Sequence, residues 1–132
     1  LHNHKIGFYS RYPSRDRWTF HHKEELTTLY LNPALLTNSI HLLQEYALED
    51  AGIVCLPTWV ASEALLTGKL EVVLPEHLLT SFWLSAVYAP TSRNALKLRV
   101  FIDYITARFK RLPCWDERLI ERGLILETLV SD

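Results

Sequence analysis

The pattern of apolar and polar positions divides the chain into short alternating or continuous apolar runs and a few stretches of helical spacing. Ile6-Gly7-Phe8-Tyr9 predicts a first strand over residues 5–10. Residues 11–16 form a polar connection with a Pro-Ser turn signal. Trp18-Thr19-Phe20 alternates, and residues 26–31 are rich in Thr, Leu and Tyr, so the two runs predict a hairpin with its tip at His21-His22-Lys23-Glu24. Pro33 breaks the second run, and residues 34–37 form a further extended piece.

The most legible segment runs from Asn38 to Gly68 and reads as helix, strand, helix. Asn38 offers an N-cap oxygen, Ile40, Leu43 and Ala47 recur at helical spacing beside Tyr46, and Gly52 stands as a C-cap glycine. Ile53-Val54-Cys55-Leu56 is a continuous apolar run of the kind buried on both faces of a parallel sheet, ended by Pro57. Thr58 is placed to cap a second helix over 59–67 that stops at Gly68. Residues 70–74 and 82–88 predict two more strands, with a loop over 90–94. Residues 95–111 give the strongest helix, with Leu98, Phe101, Ile102, Ile105 and Phe109 in one apolar stripe that needs a partner surface, on this chain or a second copy. Pro113 closes it, and a short helix around Leu119 and Ile120, broken at Gly123, is expected in the tail. Strands alternating with helices predict an α/β sheet with ligands near strand ends and helix starts.

Composition narrows the class. The 132 residues fit one domain, and 48% hydrophobic with 22% charged residues is a globular balance. A net charge of −1, from 14 basic and 15 acidic residues, gives no overall pull on nucleic acid or acidic membranes. The apolar runs are interrupted well short of the roughly 20 residues needed to cross a bilayer, so no membrane partner is expected. There is no Met and no basic-then-apolar leader, so the chain reads as a fragment or ordered core without a signal peptide. Two isolated cysteines, Cys55 and Cys114, in no ligand or disulfide framework, suit a reducing cytoplasm.

Candidate chemistry is sparse. His2 and His4 are two apart and His21-His22 sit at a hairpin tip, so neither pair makes a metal-binding helix face, and no metal is expected. Cys55 lies inside an apolar strand and reads as core rather than as a nucleophile. No phosphate-binding glycine loop or nucleophile elbow occurs, so no catalytic residue and no cofactor is expected. Arg11, Arg15 and Arg17 around Trp18 read as a charged loop rather than a nucleic-acid patch. What remains is the pair of helix starts at Asn38-Ser39 and Thr58-Trp59, where free amides and the positive dipole end receive an anion if both face one crevice.

At this point the residues resemble a family. Thr37-Asn38-Ser39, the run from Ala51 through Gly52-Ile53-Val54-Cys55-Leu56-Pro57-Thr58 to Ala61, then Leu66-Thr67-Gly68-Lys69-Leu70 and Val73-Leu74-Pro75, look like the effector domain of LysR-type transcriptional regulators. So do Tyr9-Ser10-Arg11 with Pro13-Ser14, Arg17-Trp18-Thr19-Phe20, and Ala86-Val87-Tyr88 followed by Leu98-Arg99-Val100-Phe101-Ile102-Asp103-Tyr104. The resemblance covers residues 1–110, and its specificity lies in the order and spacing of the runs rather than in any one motif. It departs at Tyr88-Ala89-Pro90-Thr91-Ser92, where many members have Tyr-Pro-Ser, and residues 113–132 extend past the usual end.

The resemblance implies an α/β, periplasmic-binding-protein-like fold, with residues 1–80 as the second lobe and 82–112 returning to complete the first. It implies a small effector, anionic or polar, in an interlobe cleft, and a homo-oligomer (dimer or tetramer). Promoter DNA would be bound only through an N-terminal winged helix-turn-helix outside this chain. Asn38, Ser39, Pro57 and Thr58 are the positions expected to line the second lobe's side of the cleft, with Tyr9 and Ser10 beside them. The rival reading is a transport-type binding protein of the same fold, which a signal peptide upstream would mark. An enzyme using Cys55 is the third, which thiol reactivity in the folded state would mark.

Overall fold

The computed structural model describes residues 1, 3–12, 16–22, 25–79, 85–92, 95–109 and 112–126. Of the predicted hairpin tip at His21-His22-Lys23-Glu24, His21 and His22 belong instead to a strand, because their backbone continues the ladder to Leu26 and Glu25. Lys23-Glu24 lie outside the described residues, as do residues 82–84 and the tail beyond residue 126.

Side chains alternate across a strand, and the strand Ile6–Tyr9 (β1) uses both faces. Ile6 and Phe8 turn to one side and are 1% exposed, while Gly7 faces the other. On the first side lies a hairpin, Arg17–His22 (β2) and Glu25–Tyr30 (β3), antiparallel with Trp18 opposite Leu29 and Phe20 opposite Thr27. The Thr19 and Thr28 hydroxyls hydrogen-bond across it at 3.0 Å. Phe8 stacks on Trp18 with ring centroids 5.0 Å apart, and Trp18 meets Phe20 edge-on at 6.2 Å. These residues, with Ile6 and Leu31, form the main core, and Leu29, Ile53 and Cys55 pack around it. Aromatic pairs of this geometry add to the gain from area alone.

On the Gly7 side lies a helix. The strand Pro33–Thr37 (β4) leads through the helix Ile40–Leu48 (α1) to the strand Ile53–Val54 (β5). β4 and β5 flank β1 and both run parallel to it, in the order β4-β1-β5. Gly7 allows α1 to lie flat on this sheet: a Cβ there would stand 2.9 Å from Leu43 Cδ2 and 2.9 Å from Val54 Cγ1. Leu43 is fully buried as a result.

The parallel crossover and the hairpin match the sequence expectation, and so does the mixed α/β class. The caps differ in detail. Ser39, not Asn38, caps α1: its Oγ accepts from the Leu42 amide at 3.2 Å, and Asn38 is exposed one position too early. α1 ends on Glu49, and Asp50 takes the left-handed conformation (φ 54°) with its amide on the Ala47 carbonyl, closing the turn before Gly52 is reached. Gly52 serves close approach instead. A Cβ there would strike the Lys5 carbonyl oxygen, which accepts from the Ile53 amide at 2.9 Å. β5 covers only Ile53 and Val54, and both are partly rather than fully buried.

The helix Thr58–Leu66 (α2) starts on Pro57, whose carbonyl accepts from the Val60 and Ala61 amides. Thr58 is therefore the first helical residue, and its hydroxyl does not cap the helix. Gly68 ends α2 as expected, at φ 71° with its amide on Leu65 and that of Lys69 on Ala64. α1 and α2 touch through the Gln44 side-chain amide, which donates to the Val60 carbonyl at 3.1 Å.

Residues 70–74 do not form a strand. Their alternation is real, but Leu70 and Val72 turn onto a second apolar cluster rather than joining a ladder. A short strand, Leu78–Leu79 (β5's successor, β6), instead pairs with β2. The described part of 82–88, from Ser85 to Tyr88, is irregular and exposed, and Pro90–Ser92 is a 3₁₀ turn. The helix Leu96–Arg108 (α3) forms as predicted, with none of its described residues buried. Leu98, Ile102 and Ile105 of its stripe are partly covered, whereas Phe101 is 57% exposed. The tail helix Cys114–Glu121 (α4) ends at Gly123, which has φ 68°. It packs on α2, and Leu119 is buried completely against Ala61 and Leu65.

Candidate functional site

Three parallel strands end on the same side of a sheet, so the residues that follow them meet there whatever their distance in sequence. Here that edge gathers Tyr9 and Ser10 at the end of β1, Thr37 to Ser39 at the end of β4, and Cys55 to Thr58 after β5. Five of the six residues expected from the sequence (Tyr9, Ser10, Ser39, Pro57 and Thr58) are partly buried along this edge, and Asn38 is exposed.

The hydrogen bonds fix its central part. Tyr9 lies opposite Thr37 in the sheet, and the Ser10 amide donates to the Thr37 carbonyl at 2.8 Å. The Ser39 amide donates to Thr37 Oγ1 at 3.1 Å, so Thr37 turns the chain from strand into helix. Thr37 is not among the site residues expected from the sequence, although a Thr two residues before a capping Ser carries that signal. The Ser39 hydroxyl is engaged as a cap, and the positive end of the α1 dipole lies at the same point.

Two groups behind this line are held neutral. Burial pushes the Cys55 thiol up to about 11. Burial, with Cys55 and Tyr9 close by, pushes the Tyr12 phenol up to about 12. Tyr12 also meets the Tyr9 ring edge-on at 5.2 Å. It comes from the loop read in the sequence as polar connection, and nothing in the pattern of that loop marks it as part of the edge. A thiol with so high a pKa is protonated near neutrality and is a weak nucleophile. Among the described residues no three His, Cys, Asp or Glu side chains come together as a metal site.

The α2 start is closed from outside the sheet. The Asp116 carboxylate of α4, only 5% exposed, is buried on the side of Thr58. Its Oδ1 is buried without a partner among the described residues. Burial pushes this carboxyl above its usual range, and the nearby Thr58 hydroxyl opposes the rise.

A parallel sheet whose carboxyl edge carries hydroxyls and two helix starts defines an open α/β domain of ligand-binding type. Comparison with known proteins takes the assignment further. The LysR substrate binding domain matches residues 1–110, and the chain belongs to that family. It is similar to the HTH-type transcriptional regulator PtxR of Pseudomonas aeruginosa, 26% identical over 96 residues, which are 73% of this chain and 31% of PtxR. It is also similar to the HTH-type transcriptional activator TtdR of Escherichia coli, 31% identical over 91 residues, 68% of this chain and 29% of TtdR. The chain thus matches under a third of the length of these relatives. Among the described residues no helix is long and apolar enough to cross a membrane.

Proposed function

We propose that this chain is the effector-sensing portion of a LysR-type transcription regulator. Its carboxyl sheet edge forms one wall of a cleft that receives a small anionic or polar molecule. The observation that carries this reading is the convergence of Tyr9, Ser10, Ser39, Pro57 and Thr58, from three separate strand ends, on one edge of a parallel sheet. Residues 1–80 form the second lobe and 82–112 the return to the first, with residues 113–132 as an extension. The facing wall belongs to sequence outside this chain. The protein is a cytoplasmic dimer or tetramer that reads promoter DNA through a separate winged helix-turn-helix; its relatives PtxR and TtdR are an HTH-type transcriptional regulator and activator. It performs no chemistry on the effector, in keeping with the neutral, partly buried thiol of Cys55.

Calorimetric titration of the chain with acetate, succinate and benzoate tests the wall. Saturable binding is expected, and Ser39→Pro weakens it by removing the cap hydroxyl and the amide held by Thr37, which displaces the α1 start. Binding to the parent that Ser39→Pro leaves unchanged would remove the α1 start from the site.

A further inference from the structure

We infer that α4 is a built-in plug: its Asp116 occupies the Thr58 hydroxyl at the start of α2, so that a small carboxylate ligand and the docked α4 compete for the same place. This rests on the reading of Thr58 as part of the effector wall and adds to it a ligand class and a device that controls access.

Three observations bear on it. Asp116 is 5% exposed, in contact with Thr58, and its Oδ1 has no partner among the described residues. A carboxylate is thus held at a helix start, where the dipole favours an anion, but with half its accepting capacity unused. Free ligand bearing the same group can be oriented by a whole cleft, whereas Asp116 is constrained by its own helix. Second, the docking of α4 does not depend on Asp116 alone. Leu119 is fully buried among Ala61 and Leu65, with Leu56, Leu70, Val72, Leu124 and Ile125 around it. Third, α4 begins at Cys114, past the residues matched by the family, so the plug is an addition to the shared domain. Four residues separate it from Phe109 at the end of α3, whose ring meets Trp115 edge-on at 6.1 Å.

A plug docked about nine-tenths of the time lowers the apparent affinity of a competing ligand about tenfold. Acetate is the side-chain group of Asp116 as a free molecule, and it serves as the probe. The 132-residue chain, labelled with nitrogen-15, is titrated with sodium acetate at constant ionic strength, and the amide signals of Thr58, Trp59 and Ser39 are followed. Leu119→Asp undocks α4, and Asp116→Asn removes the charge while leaving Leu119 in place. Unchanged amide signals along β1 in each variant report an intact sheet. In the absence of acetate, Asp116→Asn is expected to shift the Thr58 amide. Leu119→Asp is expected to lower the acetate midpoint at Thr58 about tenfold. Equal midpoints in parent and Leu119→Asp would overturn competition, and a Thr58 amide indifferent to Asp116→Asn would overturn the contact itself. Acetate shifts at Ser39 with none at Thr58 in any chain would overturn the plug while leaving the α1 side of the effector wall standing.

Discussion

Gly7→Ala tests the packing that creates the parallel edge. The new Cβ would meet Leu43 Cδ2 and Val54 Cγ1 at 2.9 Å each and Tyr46 Cδ1 at 3.4 Å. All three are side-chain atoms, so the outcome turns on whether they can move. Val54 is partly exposed and can turn, but Leu43 is fully buried beneath α1. Overpacking of this kind costs about 1–3 kcal/mol. Replacing glycine also restricts the unfolded chain, which returns about 0.4–1 kcal/mol. The net expectation is a loss of roughly 1–2 kcal/mol. With a urea slope of about 2 kcal/mol/M, the midpoint falls by about 0.5–1 M at unchanged slope. A double-mutant cycle sharpens the test. Leu43→Ala alone leaves a cavity and costs about 2–5 kcal/mol. Combined with Gly7→Ala it is expected to cost less than the sum by about 1 kcal/mol, because the new methyl enters the space that Leu43 vacates. An unchanged or raised midpoint for Gly7→Ala, or strict additivity in the cycle, would refute the claim that Gly7 sets how close α1 lies to the sheet.

Other expectations follow from the caps, the thiols and the buried acid. Ser39→Ala removes the α1 cap and should cost about 1 kcal/mol, seen as faster amide exchange at Leu42 and Leu43. A thiol reagent at about pH 8 should label Cys114, which is exposed, and label Cys55 only after urea is added, since a thiol at about 11 is roughly one part in a thousand ionised there. Asp116 should give the chain an acid-side stability gain. Unfolded, its carboxyl titrates near about 3.9, and folded it holds its proton to higher pH because it is buried. Its contribution is therefore greatest below the unfolded value and declines as pH rises through the folded one. Urea midpoints at about pH 4 and about pH 7 should show that decline in the parent and a smaller one in Asp116→Asn.

Much of this fold was legible because its elements carry local signals. β1 with its alternating neighbours, the hairpin, the 38–68 segment and α3 all have their own periodicity and stop residues. The parallel sheet could be read from Ile53-Val54 because a short apolar run between two helices has little else to be. Misplaced elements were those whose fate depends on a distant partner. Residues 70–74 have a strand's alternation, yet Leu70 and Val72 pack on the cluster of Ala61, Leu65 and Leu119 rather than joining a ladder. Asn38 and Gly52 are good cap residues that lost to Ser39 and Asp50, one or two positions away, because the geometry of the turn decided. The candidate edge was legible as two helix starts. Tyr12 was not, nor was the burial of Asp116 on Thr58, since a buried carboxylate and a solvated one look alike in sequence.

The most direct test of the account is an amide chemical-shift map of the chain saturated with a small carboxylate such as succinate. The largest shifts are predicted at Tyr9, Ser10, Ser39 and Thr58, the ends of three parallel strands. Shifts confined to α3 or to the outer hairpin strand β3, with that edge unmoved, would contradict it.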